Sequence, residues 1–244
     1  MLDRCRLIVE SEPRDGRWNM AIDEALLESV LAGNLPVIRW YQWKHPTLSL
    51  GYFQSAAEVE AEPRWTGIDK VRRLTGGGAI LHDREWTYSC VVPVDQQLVK
   101  HPYDLYDIVH EAVISWFKEE GGIDLALRGQ STRAAEEPAL CFFRQDSHDV
   151  CYQGRKVLGS AQRRRRGVLL QHGSLIWGTS SITPEIVGLQ ELCGQDAFLD
   201  RRIELADAVV RCIAERVLYE ELSASELAAA SEFAATRYAS IERT

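Results

Sequence analysis

Three consecutive glycines, a lysine on a short apolar strand and a cysteine just before two aromatics are the residues of this chain best suited to chemistry. The glycines lie in Arg72-Arg73-Leu74-Thr75-Gly76-Gly77-Gly78-Ala79-Ile80-Leu81-His82-Asp83. Without Cβ atoms, a ligand can rest directly on the backbone and its N–H groups. The same run would also serve as a tight turn or bulge. Its spacing fits neither the dinucleotide fingerprint nor the phosphate loop of nucleotide hydrolases. The lysine lies in Gly154-Arg155-Lys156-Val157-Leu158-Gly159-Ser160-Ala161-Gln162. Strict alternation predicts Lys156, Leu158 and Ser160 on one face, with Val157, Gly159 and Ala161 on the other. On a buried face Lys156 could polarise a carbonyl, hold a carboxylate or phosphate, or favour a nearby thiolate. On an edge strand it would be solvated.

Six cysteines occur, Cys5, Cys90, Cys141, Cys151, Cys193 and Cys212, with no CxxC pair. Cys90 falls in the apolar strand Tyr88–Val92 and Cys212 in a helical stripe with Val209 and Ile213, so both read as core. Cys141 follows a polar loop, Gly129–Pro138, and precedes Phe142 and Phe143. A thiolate there needs a cation or dipole beside it. Its base could be Lys156 or His148. His172, in Gln171-His172-Gly173-Ser174, either lines a pocket or is a hydrogen-bonded structural histidine. The run Arg163–Arg166 reads as a hairpin tip, solvated or docking an acidic partner.

These residues need elements to hold them. Helical spacing starts near Asn19, a plausible N-cap with Asp23 and Glu24 in the first turns, and stops at Gly33. Strands are expected at Val37–Trp43, Thr47–Tyr52, Lys70–Leu74, Ala79–His82, Thr87–Val92, Lys156–Gln162 and Val168–Ile176. Helices are expected at Leu105–Lys118, Ile203–Leu218 and Ala224–Tyr238, the last opened by a Ser223/Glu226 capping box. Tight strand connections imply antiparallel pairing. The expected class is α+β, a mostly antiparallel mixed β-sheet flanked by helices, with no boundary dividing residues 1–244.

The 244 residues carry a net charge of −8. That balance argues against nucleic acid as a partner. No apolar run is long enough for a membrane span. The cysteine pattern suits reduced thiols in a cytoplasmic protein. Histidines and cysteines lack zinc-type spacing, so no metal site is expected.

Together the segments resemble the biotin/lipoate protein ligase superfamily. Arg72–Asp83 looks like its RRxSGGGxxxHD loop, with Thr75 in place of Ser. Gly154–Gln162 looks like its lysine strand, Gln171–Leu175 like its HG[ST]L segment, and Asn19–Leu27 like its first helix. The resemblance implies a fold like the catalytic core of class II aminoacyl-tRNA and biotin synthetases, spanning 1–244 as one catalytic domain. Cys141-Phe142 before the lysine strand is most similar to the LipM-type octanoyltransferases, although Phe143–Tyr152 departs from their pattern. That likeness implies catalytic Cys141 and Lys156. It implies substrate contacts from Arg72, Thr75, Gly76, Gly77, Gly78, Ala79, His82, Gly159, Ser160, Ala161, His172 and Gly173. The donor would be acyl carrier protein and the acceptor a lipoyl-domain protein such as the glycine-cleavage H protein, with no cofactor required. The alternatives are an ATP- and Mg-dependent lipoate–protein ligase, in which Cys141 is incidental, and a non-catalytic acyl- or lipoyl-binding module.

Overall fold

Val37–Tyr41 has no solvent-facing side: Ile38 and Trp40 enter one apolar cluster, Val37 and Tyr41 another, and all five residues are buried. Such a strand must lie inside a sheet covered on both faces. The computed structural model, which describes residues 1–95, 98, 101, 103–129, 140–194, 198 and 200–241, shows this arrangement. In chain order the elements are β1 (Leu2–Val9), α1 (Gly16–Leu31), β2 (Val37–Tyr41), β3 (Thr47–Leu50), α2 (Ala56–Glu60), β4 (Asp69–Arg72), β5 (Ile80–His82) and β6 (Glu85–Pro93). They continue as α3 (Asp104–Gly121), β7 (Leu125–Leu127), β8 (Val150–Tyr152), β9 (Arg155–Arg165) and β10 (Val168–Ile176). The last are α4 (Leu189–Cys193), α5 (Arg202–Ile213), β11 (Ala214–Tyr219) and α6 (Ala224–Thr236).

The main sheet runs β11-β1-β2-β6-β10-β9-β8-β7, and a smaller one runs β4-β3-β5. Pairing is antiparallel except β1 with β2 and β11, and β3 with β4. This is the expected mixed, mostly antiparallel sheet. Helices α3 and α5 cover one face through Val109, Val113, Leu205 and Val209. Helices α1 and α6 cover the other through Ile22, Leu26, Ala230 and Phe233. Among the described residues no helix is long and apolar enough to cross a membrane.

Several local expectations change. Helix α1 starts at Gly16 with Asp15 as N-cap, accepting from the Trp18 N–H at 3.0 Å. Asn19 is instead fully buried, its side-chain oxygen accepting from Arg39 Nη2 at 2.8 Å. The helix expected over Ile203–Leu218 stops at Ile213, and Ala214–Tyr219 becomes an edge strand in parallel register with β1. The unpaired edge of β1 supplies backbone partners that local spacing does not reveal. Cys212, expected in the core, is exposed. Beyond Gly129, the expected loop Gly129–Pro138 lies outside the described residues.

Two hairpins bracket β9. Gln153-Gly154 and Arg166-Gly167 both take positive φ, the geometry of two-residue turns whose twist suits paired strands. The arginine run is therefore mostly strand rather than tip. Arg163 lies over the Tyr52 ring and donates to Leu74 O, Arg164 donates to Leu98 O, and Arg165 pairs with Glu28.

Strand β1 is tied to α6 by charge. Arg6 donates to both carboxylate oxygens of Glu226 at 2.6 and 3.0 Å, and Glu226 closes the capping box with Ser223. Burial opposes the Glu226 charge, but bonds from Arg6 and Ser223 hold its carboxyl below the ordinary 4.5. A carboxyl depressed in the fold stabilises it above the unfolded value, and that stability is lost as pH falls through the folded value. Arg6→Met should cost roughly 3 kcal/mol at pH 7 by denaturant unfolding, since it strands a buried carboxylate. Glu226→Gln should flatten the loss of stability below pH 4.5.

Candidate active site

The face of the main sheet under α1 carries small and polar side chains beside the small sheet, and a cavity opens there. Its walls include Met20, Tyr41, Trp43, Arg73, His82, Thr87, Cys141, Phe142 and Lys156, with Gly159, Ser160, Ala161, His172, Gly173 and Ser174 as floor. Register explains the floor: Ala161 opposes His172 and Gly159 opposes Ser174 across the β9–β10 ladder, and opposed residues share a face. The slot is narrow, about 20 Å³.

Lys156 reaches this face through a break in alternation. Val150 opposes Leu158 while the next residue, Cys151, opposes Lys156, so Val157 is an extra residue on β9. A one-residue bulge reverses every side chain beyond it. Lys156 thus shares a face with Gly159 rather than with Leu158: a Cβ on Gly159 would stand 2.4 Å from Lys156 Cε. Its ammonium is 2.7 Å from Asp149 Oδ1, and both side chains are buried. It also donates to the carbonyls of Cys141 and Arg144 at 3.4 and 3.5 Å. The Phe142 ring centroid is 5.2 Å away.

Cys141 opens a short 3-10 turn, Cys141–Phe143. Leu140 forms a parallel bridge with Ala79, and the Cys141 N–H donates to Ala79 O at 2.8 Å. This bridge draws the cysteine to the end of the glycine loop. A Cβ on Gly77 would stand 3.5 Å from Cys141 Sγ and 3.0 Å from Arg73 Nη2. The loop is closely seated from below as well, since a Cβ on Gly51 would stand 1.9 Å from Gly77 O.

The structure therefore gathers Cys141, Lys156, His82, Gly159, Ser160, Ala161, His172 and Gly173 around one cavity, with Gly77 against the sulfur. Gly76 and Gly78 present their carbonyls to Arg73. Ala79 anchors Cys141, and Thr75 Oγ1 hydrogen-bonds His172 Nε2 at 2.5 Å. Arg72 is not in the lining: it donates to the carbonyls of Gly51, Gln54 and Ile241. Its neighbour Arg73 faces inward instead, because successive residues at the end of β4 point opposite ways. Arg73, Asp149 and Asp23 join the site residues expected from sequence. Asp149 lies in no local motif and Asp23 reads only as an acid of the first helix, and the fold brings them to Lys156 and His172.

Behind the floor, the Ser160 hydroxyl belongs to a hydrogen-bonded chain of one polarity. Gln162 Nε2 donates to Gln171 Oε1, Gln171 Nε2 donates to the Tyr88 hydroxyl oxygen, and that hydroxyl pairs with Ser160 Oγ, each at 2.7 Å. Ser160 Oγ then meets His110 Nε2 at 2.7 Å, and His110 Nδ1 lies 2.5 Å from the His148 carbonyl. A carbonyl can only accept, so Nδ1 carries the proton and Nε2 accepts from Ser160. On the other side, burial opposes the Asp23 charge, but bonds from His172 and the Arg39 charge hold it below the usual carboxylate range. Burial likewise lowers His172, despite Asp23 at 3.5 Å.

Burial pushes His110 down to about 4 from its ordinary 6.5. The unfolded chain then takes up this proton first, so stability falls as pH drops from 6.5 to about 4. His110→Gln should be less stable at pH 7 yet show a slope smaller by about 3 kcal/mol across that window, read from urea unfolding at several pH values.

Residues 15–191 match the family model described as the lipoyl protein ligase A/B catalytic domain. The chain is 38% identical over 174 residues to the octanoyltransferase LipM of Clostridioides difficile, covering 69% of this chain and 64% of that one. It is 36% identical over 206 residues to the octanoyltransferase LipM of Staphylococcus aureus, covering 81% and 72%. The match thus spans a little under two thirds of the first relative's length. Among solved structures, lipoate-protein ligase A bound with ATP superposes at a TM-score of 0.70 and 23% identity, over 97% of this chain and 95% of that one. A bi-partite lipoate protein ligase of Thermoplasma acidophilum gives 0.69 and 20%, over 100% and 98%. The architecture is the one those ligases share. On the extent of the family match, this chain belongs to the lipoyl protein ligase A/B catalytic domain family.

Proposed function

We propose that residues 1–244 act as one catalytic domain, an octanoyltransferase. It would move an octanoyl group from octanoyl-acyl carrier protein to a lysine of a lipoyl-domain protein, such as the glycine-cleavage H protein, through a thioester on Cys141. The observation that carries this reading is the cavity that Cys141 and Lys156 line together, with Gly77 against the sulfur. The identity to relatives named octanoyltransferase LipM supports it.

In the first step the Cys141 sulfur attacks the donor's thioester carbonyl. A new carbon–sulfur bond forms, the old one breaks, and the carrier thiol leaves with a proton. In the second step the neutral amine of the acceptor lysine attacks the Cys141 thioester, an amide forms, and the thiol is restored. One thioester replaces another and aminolysis is downhill, so this route requires no ATP. Lys156 holds the Cys141 loop by its carbonyls and keeps a cation where carbonyl charge develops. Of the glycines able to offer backbone donors, Gly77 lies beside the sulfur, while Gly159 lies under Lys156. An eight-carbon chain entering so narrow a slot would have to part its walls, Met20 and Phe142 among them. Beyond Phe142 and Lys156 a second cavity of about 210 Å³, lined in part by Arg128 and Arg155, offers the reacting partners a way in.

Intact mass after incubation with octanoyl-acyl carrier protein should show one octanoyl adduct, mapped to Cys141 and missing from Cys141→Ala. Transfer undiminished in Cys141→Ala, or lipoylation that needs lipoate and ATP, would instead establish the ligase. Gly159→Ala gives a finer test, because the atom its methyl meets is the far end of a flexible side chain. The variant should unfold within a few degrees of the parent while transfer falls about tenfold or more, as the ammonium is pushed from its place.

A further inference from the structure

Two cations border the cavity, and their surroundings differ. Lys156 is ion-paired with buried Asp149 at 2.7 Å. Seen from a few ångströms away, such a pair acts as a dipole whose field fades faster than that of a bare charge. Arg73 has no such companion. Its side chain is 1% exposed, and its Nη groups donate to neutral oxygens: Ser49 O and Oγ at 2.8 and 3.2 Å, and Gly76 O and Gly78 O at 2.7 Å. Among the described residues no carboxylate forms an ion pair with it, and its Nε–H is buried without an acceptor. A guanidinium keeps its proton, and a buried cation without a partner is costly. The fold therefore holds a positive charge in place for an anion.

Cys141 is the ionisable group set against it. Its sulfur and Arg73 Nη2 both lie within 3.5 Å of the point a Gly77 Cβ would occupy. We propose that Arg73, rather than Lys156, is the positioning residue that sustains negative charge on the Cys141 sulfur. The glycine at position 77 leaves no side chain between the two. Other charged or titratable groups around the sulfur are Arg144 on its own loop, Tyr106 from α3, His82 from β5, His172 from β10 and the Asp149–Lys156 pair. Burial favours the neutral form of His172. The proposal rests on Cys141 as nucleophile, but its test does not require acyl transfer.

Alkylation by iodoacetamide, in which a sulfur–carbon bond forms as iodide leaves, reports the thiolate directly. Peptide mass spectrometry would follow Cys141 at several pH values, with exposed Cys212 as internal reference. Arg73→Met should slow Cys141 alkylation about tenfold at pH 7, with rates converging in strong base, while Arg73→Lys keeps most of the parent rate. The double variant Asp149→Asn/Lys156→Met removes a neutral pair and should alkylate within about threefold of the parent even as octanoyl transfer falls. An unchanged rate in folded Arg73→Met would overturn the proposal. So would a tenfold loss in the double variant, which decides the matter even if Arg73→Met does not fold. Arg73-dependent alkylation without any octanoyl adduct would uphold the charge pairing and remove only the transferase reading.

Discussion

A guanidinium sealed from water must find an oxygen for almost every N–H it carries, and here that requirement shapes the glycine loop. Arg73 reaches from the end of β4 to Ser49 on β3 and to the carbonyls of Gly76 and Gly78. Three residues without side chains have no packing of their own to fix them, so these bonds set the loop's path. Gly51 completes the seat, because any side chain there would collide with Gly77 O. The loop in turn delivers Ala79 to its bridge with Leu140, and that bridge carries Cys141 to the sheet. Without the guanidinium, the carbonyls of Gly76 and Gly78 beside the cysteine would lose their donor.

The rest of the interior handles charge differently. Arg39 sits among Glu10, Asp23 and Asn19, Arg6 is matched by Glu226, and Lys156 by Asp149. Each cation there has its anion and further hydrogen bonds, the condition under which buried charge is tolerable. Two buried imidazoles are likewise bonded on both sides: His82 bridges Glu85 and Ser49 while stacking on Trp43, and His172 links Thr75 to Asp23. Ser49 thus connects the His82–Glu85 pair to Arg73 through a single hydroxyl. Arg73, among the most deeply buried of the described cations, is bonded instead to neutral oxygens, and it lies beside the Cys141 thiol.

The sheet separates structural polarity from the site. On the α3 side, Gln162, Gln171, Tyr88, Ser160 and His110 join in one hydrogen-bonded chain. On the α1 side the same strands offer Gly159, Ala161 and Ser174, small residues that leave room above them. The extra residue at Val157 lets one strand serve both faces, since without it Lys156 would point to the side of Leu158 and Ser160.

Periodicity and turn residues in the sequence determined most of the elements, the mixed antiparallel sheet and the segments that border the cavity. These signals are local, set by how side chains repeat along a helix or strand. The Ser223 capping box, the strand Val168–Ile176 and the Gly76–Gly78 run could each be read within a dozen residues. Tertiary structure decided what depends on distant partners. It made β11 a strand by offering it the edge of β1, and turned Asn19 from a cap into a ligand of Arg39. It also turned Lys156 by one register shift, gave it Asp149, and chose Arg73 over Arg72 to face Cys141. Charge pairing and bulges are agreements between segments far apart in the chain, so neither segment alone records them.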